Sequence, residues 1–209
     1  MAPPFLDFWF EFASTYSYPA MMRITSLARD AGIAVKFRPF LLGAVFKAQG
    51  WETSPFNLYA SKGRNMWRDL ERLCEELNLP FRRPEPFPQN SLQASRLALV
   101  GLDAQWGEDF CGSVFRTEFA EGRRIDETAV LSELLAELNV DLNPTFAAAQ
   151  TDAIKAKLRS QTEEALQLGI FGAPSFITMG ELFWGNDRLE RAIAWARTCL
   201  LYTSPSPRD

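Results

Sequence analysis

The sequence contains no histidine among its 209 residues. That absence removes imidazole as base, proton shuttle or metal ligand, and with it every Ser-His-Asp or Cys-His arrangement. Cysteine is scarce. Cys74, Cys111 and Cys199 lie far apart, with no C-x-x-C and no zinc spacing, so no metal site is expected. Cys74 falls on the apolar stripe of a helical segment, which predicts a buried thiol and not a reactive one. No apolar run reaches membrane-spanning length, and the first residues, MAPPFLDF, have neither a basic n-region nor an apolar h-region. A soluble, cytoplasmic protein with no membrane partner is expected. An excess of positive charge is lacking too: 22 Lys and Arg against 26 Asp and Glu leave a net charge of −4, no footprint for nucleic acid. Arg64, Arg68, Arg72, Arg82 and Arg83 do cluster, but Asp69, Glu71, Glu75 and Glu76 are interleaved with them, the pattern of a solvated helix face.

What the sequence has is apolar mass. With 47% hydrophobic and 13% aromatic residues, the chain can bury a sizeable core as one domain or as one domain carrying an insertion. It is organised around residues 6–18, LDFWFEFASTYSY. Leu6, Phe8, Phe10 and Phe12 alternate with Asp7, Trp9, Glu11 and Ala13, the period of a strand packed on both faces. The alternation stops at Ser14-Thr15-Tyr16-Ser17, and Tyr18-Pro19 opens a helical run over 20–31, Pro being tolerated in a first turn whose N–H groups have no intrahelical partner. A strand, a tight turn and a helix N-terminus place the turn's hydroxyls where backbone N–H groups and the helix dipole can stabilise an anion. Two hydroxyls at i and i+3 stand where a redox protein would carry two thiols.

Gly32 suits the left-handed position that stops the first helix. Residues 34–40, AVKFRPF, read as a second strand with Pro39 restricting it towards an edge or end, so residues 5–40 form a βαβ unit whose turn at 14–17 lies on the carboxyl edge of the sheet. A long stretch without strand signals follows. It predicts a short helix over 41–49, a loop over 50–61 and the clearest amphipathic helix over 62–77, with Met66, Trp67, Leu70, Leu73, Cys74 and Leu77 at helical spacing. Residues 80–88, PFRRPEPFP, with four prolines, read as an extended connector. Asn90 caps a helix to about residue 102. Further helices are expected over 108–120, 127–138 and 151–168, the last closed by Gly169. Strand character returns at 174–179 and, after a Gly180-Glu181 turn, at 182–184, a hairpin signal. A final amphipathic helix spans 187–197. Residues 198–209, TCLLYTSPSPRD, lack periodicity and read as a non-native or disordered tail.

This βαβ, helical insertion, ββα order resembles the thioredoxin-like fold (α/β) of disulfide oxidoreductases with a large all-helical insertion. It divides the chain into 1–42 and 169–197 for the thioredoxin-like domain and 43–168 for the insertion. FEFASTYSY, FGAPSF and FWGNDR, in that order, are similar to motifs of the 2-hydroxychromene-2-carboxylate isomerases and kappa-class glutathione transferases, over residues 5–197. The resemblance implies glutathione as cofactor, a small aromatic acid as substrate in aromatic catabolism, and a homodimer. It makes Ser14 the catalytic residue, its hydroxyl holding the cofactor sulfur as thiolate, which agrees with the effect of a helix N-terminus and a donor on a thiol. Ser17 is expected merely to cap the helix.

Thr15 replaces the family's usual proline. Ala173 and Pro174 match the family's cis-proline loop, whose free backbone groups pair with the cysteinyl backbone of glutathione. Trp184, Gly185, Asn186, Asp187 and Arg188 match the segment that holds the γ-glutamyl end; Asp187 with Glu190 is equally a capping box. Lys62 matches a lysine of the insertion, Asn57 and Asn90 lie in loops near the cleft, Lys47 is a candidate for the substrate carboxylate, and Phe87 and Trp67 could line an aromatic pocket, Trp67 being the better core residue. Trp51 stands where kappa-class transferases have a glutathione-contacting asparagine.

The implied activity is glutathione-dependent isomerisation, the thiolate adding reversibly to the substrate. The alternatives are a kappa-like transferase that consumes glutathione, a thiol–disulfide oxidoreductase, disfavoured because Ser14 and Ser17 take both thiol positions, and a non-catalytic thioredoxin-like binding module.

Overall fold

The computed structural model describes residues 4–202, with side chains as far as Thr198. Among the described residues the sheet has four strands in the order β2-β1-β3-β4. β1 (Phe5–Phe10) is central because it is apolar on both faces. Leu6, Phe8, Phe10 and Phe12 are fully buried in the main core, where Phe8 stacks on Phe176 at 5.5 Å, while Trp9 enters a second cluster with Phe40, Val45, Ala165 and Ile170. β2 (Ala34–Pro39) pairs parallel to β1, with Trp9 opposite Arg38 and Phe10 opposite Pro39, so the proline ends the strand as expected. Between them α1 (Ser17–Ala31) stops at Gly32, whose φ of 70° and N–H bond to the Ala28 carbonyl make a left-handed cap.

β3 (Ser175–Thr178) runs antiparallel to β1 and β4 (Glu181–Trp184) antiparallel to β3. The hairpin turn is Met179-Gly180, one residue earlier than Gly180-Glu181. Both residues have positive φ, 53° and 79°, the primed geometry that matches strand twist, and Glu181 is thereby free to pair with Thr178. The mixed sheet and the many helices are the expected thioredoxin-like architecture with a helical insertion.

The helical segment comprises α2 (Leu42–Ala48), α3 (Pro55–Leu58), α4 (Ala60–Glu76), α5 (Leu92–Asp103), α6 (Gly107–Phe119), α7 (Thr128–Glu137), α8 (Leu142–Ala149) and α9 (Asp152–Gln167). In α4, Met66, Trp67, Leu70 and Cys74 are buried, while the Arg68–Glu71 and Arg72–Asp69 pairs lie on its solvated side. The proline-rich connector has no regular structure; Arg82 N–H donates to the Phe119 carbonyl at 2.7 Å, and the Glu85-Pro86 and Phe87-Pro88 bonds are cis. Two elements differ from expectation. α3 forms inside the expected loop because Ser54 accepts from Phe56 N–H and Pro55 fits the first helical position. α8 has no strong signal because it is short and holds Pro144, which its first turn tolerates.

The helical segment and the sheet share one hydrophobic core: Phe10 and Phe12 of the β1 end pack on Phe115 of α6 at 5.8 and 5.1 Å. After a 3-10 turn at Asn186–Arg188, α10 (Leu189–Tyr202) runs on through residues 198–202, the start of the expected tail, because Leu189, Ile193 and Ala196 anchor it and nothing after Arg197 breaks a helix before Tyr202. Residues 203–209 of that tail lie outside the described residues.

Candidate active site

β1 ends at Phe10, and the chain turns through residues 11–16 into α1. Ser14 N–H donates to the Glu11 carbonyl at 3.0 Å, and Ser17 N–H to the Ser14 carbonyl at 3.1 Å, so two successive backbone bonds fix the turn. Tyr16 occupies the N-cap position without a side-chain cap, and its hydroxyl donates to Asp69 of α4 at 2.8 Å, tying the turn to the insertion. Burial and the adjacent Asp69 carboxylate push the Tyr16 phenol up, so it remains a neutral donor. Ser17 does not cap α1. It is the first residue inside the helix, where its hydroxyl cannot reach the next free N–H groups, and it is fully buried without a partner.

The Ser14 hydroxyl donates to the Ala173 carbonyl at 2.9 Å across the sheet edge, and the Ala173-Pro174 bond is cis. The two lie on the wall of a cavity of about 980 Å³ that opens between the sheet edge and the insertion. Its lining is mostly apolar, with Phe46, Trp51, Phe56, Phe87, Phe171 and Trp184 as aromatic walls. Phe171 packs edge-on against Trp184 at 4.9 Å. Gly172 is required beneath them: a Cβ there would stand 2.4 Å from the Trp184 indole nitrogen.

Of the residues singled out in the sequence, the cavity brings together Ser14, Ala173, Trp184 and Gly185 from the thioredoxin-like part and Lys62, Phe87 and Asn90 from the insertion. Trp51, the departure from the family pattern, lines it as well. Lys62 is exposed at its mouth, 5.0 Å from the Tyr59 ring. Asn90 accepts from Leu92 N–H at 3.0 Å, helping to start α5 from one residue outside the N-cap. The remaining residues lie off the lining. The Pro174 carbonyl accepts from Gly185 N–H at 3.0 Å. Asn186 is buried and its side-chain oxygen accepts from Arg23 at 2.9 Å. Asp187 and Arg188 are exposed and pair with each other at 2.5 Å, and because Glu190 is taken by Arg23, the capping box does not form. Lys47 is exposed on α2, and Asn57 donates to Thr53 at 3.1 Å. Trp67 is in the core, edge-on to Phe87 at 4.7 Å.

Several lining residues carry no sequence signal of their own, among them Glu11, Gln89 and Ser91. Glu11 was visible only as an acid inside an apolar alternation. It is buried, accepting from the Ser91 hydroxyl and from Ala13 N–H; burial raises its carboxyl to about 7 against those two donors. Neither described cysteine offers a thiolate: burial pushes Cys74 up to about 11 and holds Cys111 higher still.

A buried serine hydroxyl at a strand–helix turn, set against an X-Pro carbonyl on the rim of a thioredoxin-type sheet, defines a protein of the thioredoxin superfamily with hydroxyls in place of its thiols. The chain belongs to the DSBA-like thioredoxin domain family, matched over residues 5–193. It is similar to a 2-hydroxychromene-2-carboxylate isomerase of Sphingobium xenophagum, 26% identical over 88% of this chain and 94% of the relative. It is also similar to "Glutathione s-transferase kappa 2" of Caenorhabditis elegans, 28% identical over 88% of each. A solved structure of 2-hydroxychromene-2-carboxylate isomerase superposes with a TM-score of 0.85 at 26% identity, covering 97% of this chain and 99% of that one.

Proposed function

We propose that the protein is a glutathione-dependent isomerase acting on a small aromatic acid of the 2-hydroxychromene-2-carboxylate type. The observation that carries this reading is the Ser14 hydroxyl on the wall of an aromatic cavity, beside the Ala173 backbone. The residues present fit the cofactor: the cavity has room for a tripeptide and an aromatic acid together, and Ala173, on its wall just before β3, lies outside the β1 and β4 pairings and offers backbone a peptide can meet. When bound, glutathione supplies a thiolate that adds reversibly to an unsaturated carbon and leaves again.

The Ser14 hydroxyl has a single proton. Donated to the Ala173 carbonyl, it presents lone pairs to the cavity; turned inward, it donates to a sulfur anion and favours its charged form. Ala173 holds the cysteinyl backbone, and Trp184 with Gly185 bounds the γ-glutamyl end. Phe46, Trp51, Phe56 and Phe87 receive the aromatic ring, and Lys62, at the mouth, meets the carboxylate. A reducing, cytoplasmic setting suits this reading, with Cys74 and Cys111 buried as free thiols.

Ultraviolet difference spectra of glutathione with the protein test it. A thiolate band in the wild type that Ser14→Ala loses is expected. Adding a hydroxychromene carboxylate should then give product with glutathione undiminished. Stoichiometric consumption of glutathione would instead make the protein a conjugating transferase, and no thiolate at all would leave a binding module.

A further inference from the structure

Among the described residues Glu11 and Glu118 are the buried acids, and neither has an ion-pair partner. A buried, unpaired carboxylate is costly, so such a group is either kept neutral or kept for a purpose. The two differ. Glu118 on α6 is fully buried away from the cavity and both its oxygens lack hydrogen-bond partners. Burial, the Glu11 charge and the Asp126 charge all push its carboxyl well above the ordinary range. Glu11 lies on the cavity wall, three residues before Ser14, with its carboxylate clasped by the Ala13 N–H and the Ser91 hydroxyl. Both clasping residues also line the cavity. The charged and titratable groups around it are Glu118 and Asp126 on the protein side, Tyr16 on the same turn, and, lining the same cavity, Glu52 and, on α4, Lys62.

We propose that Glu11 is the proton acceptor of this site, taking the proton that a bound thiol gives up and returning it when the thiol leaves. The inference rests on the proposed reading of the site as a glutathione site. The step balances: the S–H bond breaks, its electron pair stays on sulfur, and the proton forms an O–H bond on the Glu11 carboxylate. The reverse occurs on release. Its geometry suits the task. Two neutral donors hold the carboxylate in place without a cation to lock it in the charged form, and Glu118, which does not line the cavity, has no path to the bound sulfur. An ordinary carboxyl would not retain a proton near neutrality; one raised to about 7 by burial does so once a negative sulfur stands beside it. The arrangement also supplies the base that a sequence without histidine otherwise lacks.

Proton counting tests it. Glutathione is added to weakly buffered protein at pH about 7.5, below the ordinary thiol pKa of about 8.5, and thiolate formed is measured by its ultraviolet band while protons released to bulk are titrated. The wild type should release clearly fewer protons than thiolates formed, and Glu11→Gln should release one for each. Glu11→Asp, which keeps the carboxyl, should retain protons again, and Glu118→Gln should behave as the wild type. One-for-one release by the wild type, or retention by Glu11→Gln, overturns the proposal while leaving the glutathione site standing. No thiolate in the wild type overturns both, and the missing band distinguishes that case.

Discussion

The cavity has two unlike walls. The one built by the turn between β1 and α1 is buried and fastened: Ser14 is 8% exposed, Thr15 3%, and backbone or side-chain hydrogen bonds link residues 11, 14, 17 and 173. The one built by residues 41–62 is open and loosely held. Trp51 is 40% exposed and leans on Phe46 at 5.9 Å as its aromatic neighbour. The fixed wall positions a reacting atom, which tolerates little displacement. The open wall presents replaceable apolar surface, which sets what is received and not how it reacts.

Four changes sharpen or break that contrast. The largest effect is expected at the fixed wall. Ser14→Ala should lower kcat/KM by roughly 100- to 1000-fold, as loss of one preorganised donor does, with stability changed by only about 1 kcal/mol for its bond to Ala173. Steady-state kinetics beside thermal melts check this; a small kinetic loss would mean that this wall is merely structural.

The second concerns the acid beneath the same wall. Glu11 binds protons more tightly folded than unfolded, its carboxyl rising from 4.5 to about 7. The folded state therefore holds the extra proton between these values, and stability falls as pH rises through that window. The loss attributable to Glu11 is about 3 kcal/mol. Glu118, shifted in the same direction, adds to it. Urea melts across pH 4.5 to 8 should show stability declining in the wild type, and Glu11→Gln with Glu118→Gln should flatten the curve.

A third change acts where the fixed wall meets the aromatic lining. Gly172→Ala forces a methyl group against Trp184, so glutathione affinity should weaken roughly tenfold, with about 1–3 kcal/mol of overpacking cost. Calorimetric titration reads the first and a melt the second. Gly172 tolerating alanine in both would show that Trp184 swings freely and bounds nothing.

The smallest effect belongs to the open wall. Trp51→Ala should raise KM for an aromatic acid by roughly three- to tenfold, leaving kcat and the glutathione thiolate band unchanged. A fall in kcat matching that of Ser14→Ala would erase the distinction between the walls.

Much of the fold was legible because its signals are local. The alternation of residues 6–12, the Gly32 and Gly169 stops and the apolar stripe of α4 each depend on neighbours a few residues away. The missed elements, α3 and α8, are short, and each carries a proline in its first turn, which weakens a helical pattern. The hairpin turn was misplaced by one residue because a methionine with positive φ is not a sequence signal for a turn. In the site, Ser14 announced itself by interrupting a strand before a helix. Glu11, Gln89 and Ser91 did not, since an isolated polar residue shows its burial only when its surroundings are known.

By itself, then, the sequence determined the elements, their order and the chemistry they exclude: without histidine there is no imidazole catalysis, and without a paired thiol at the turn there is no internal dithiol–disulfide exchange there. Tertiary structure alone decided which side chains share a cavity. Ser14 meets Ala173 across 159 residues and Glu11 meets Ser91 across 80. Periodicity and caps act over one or two turns of chain, whereas a carboxyl is desolvated, and its proton affinity reset, by whatever the whole fold packs around it.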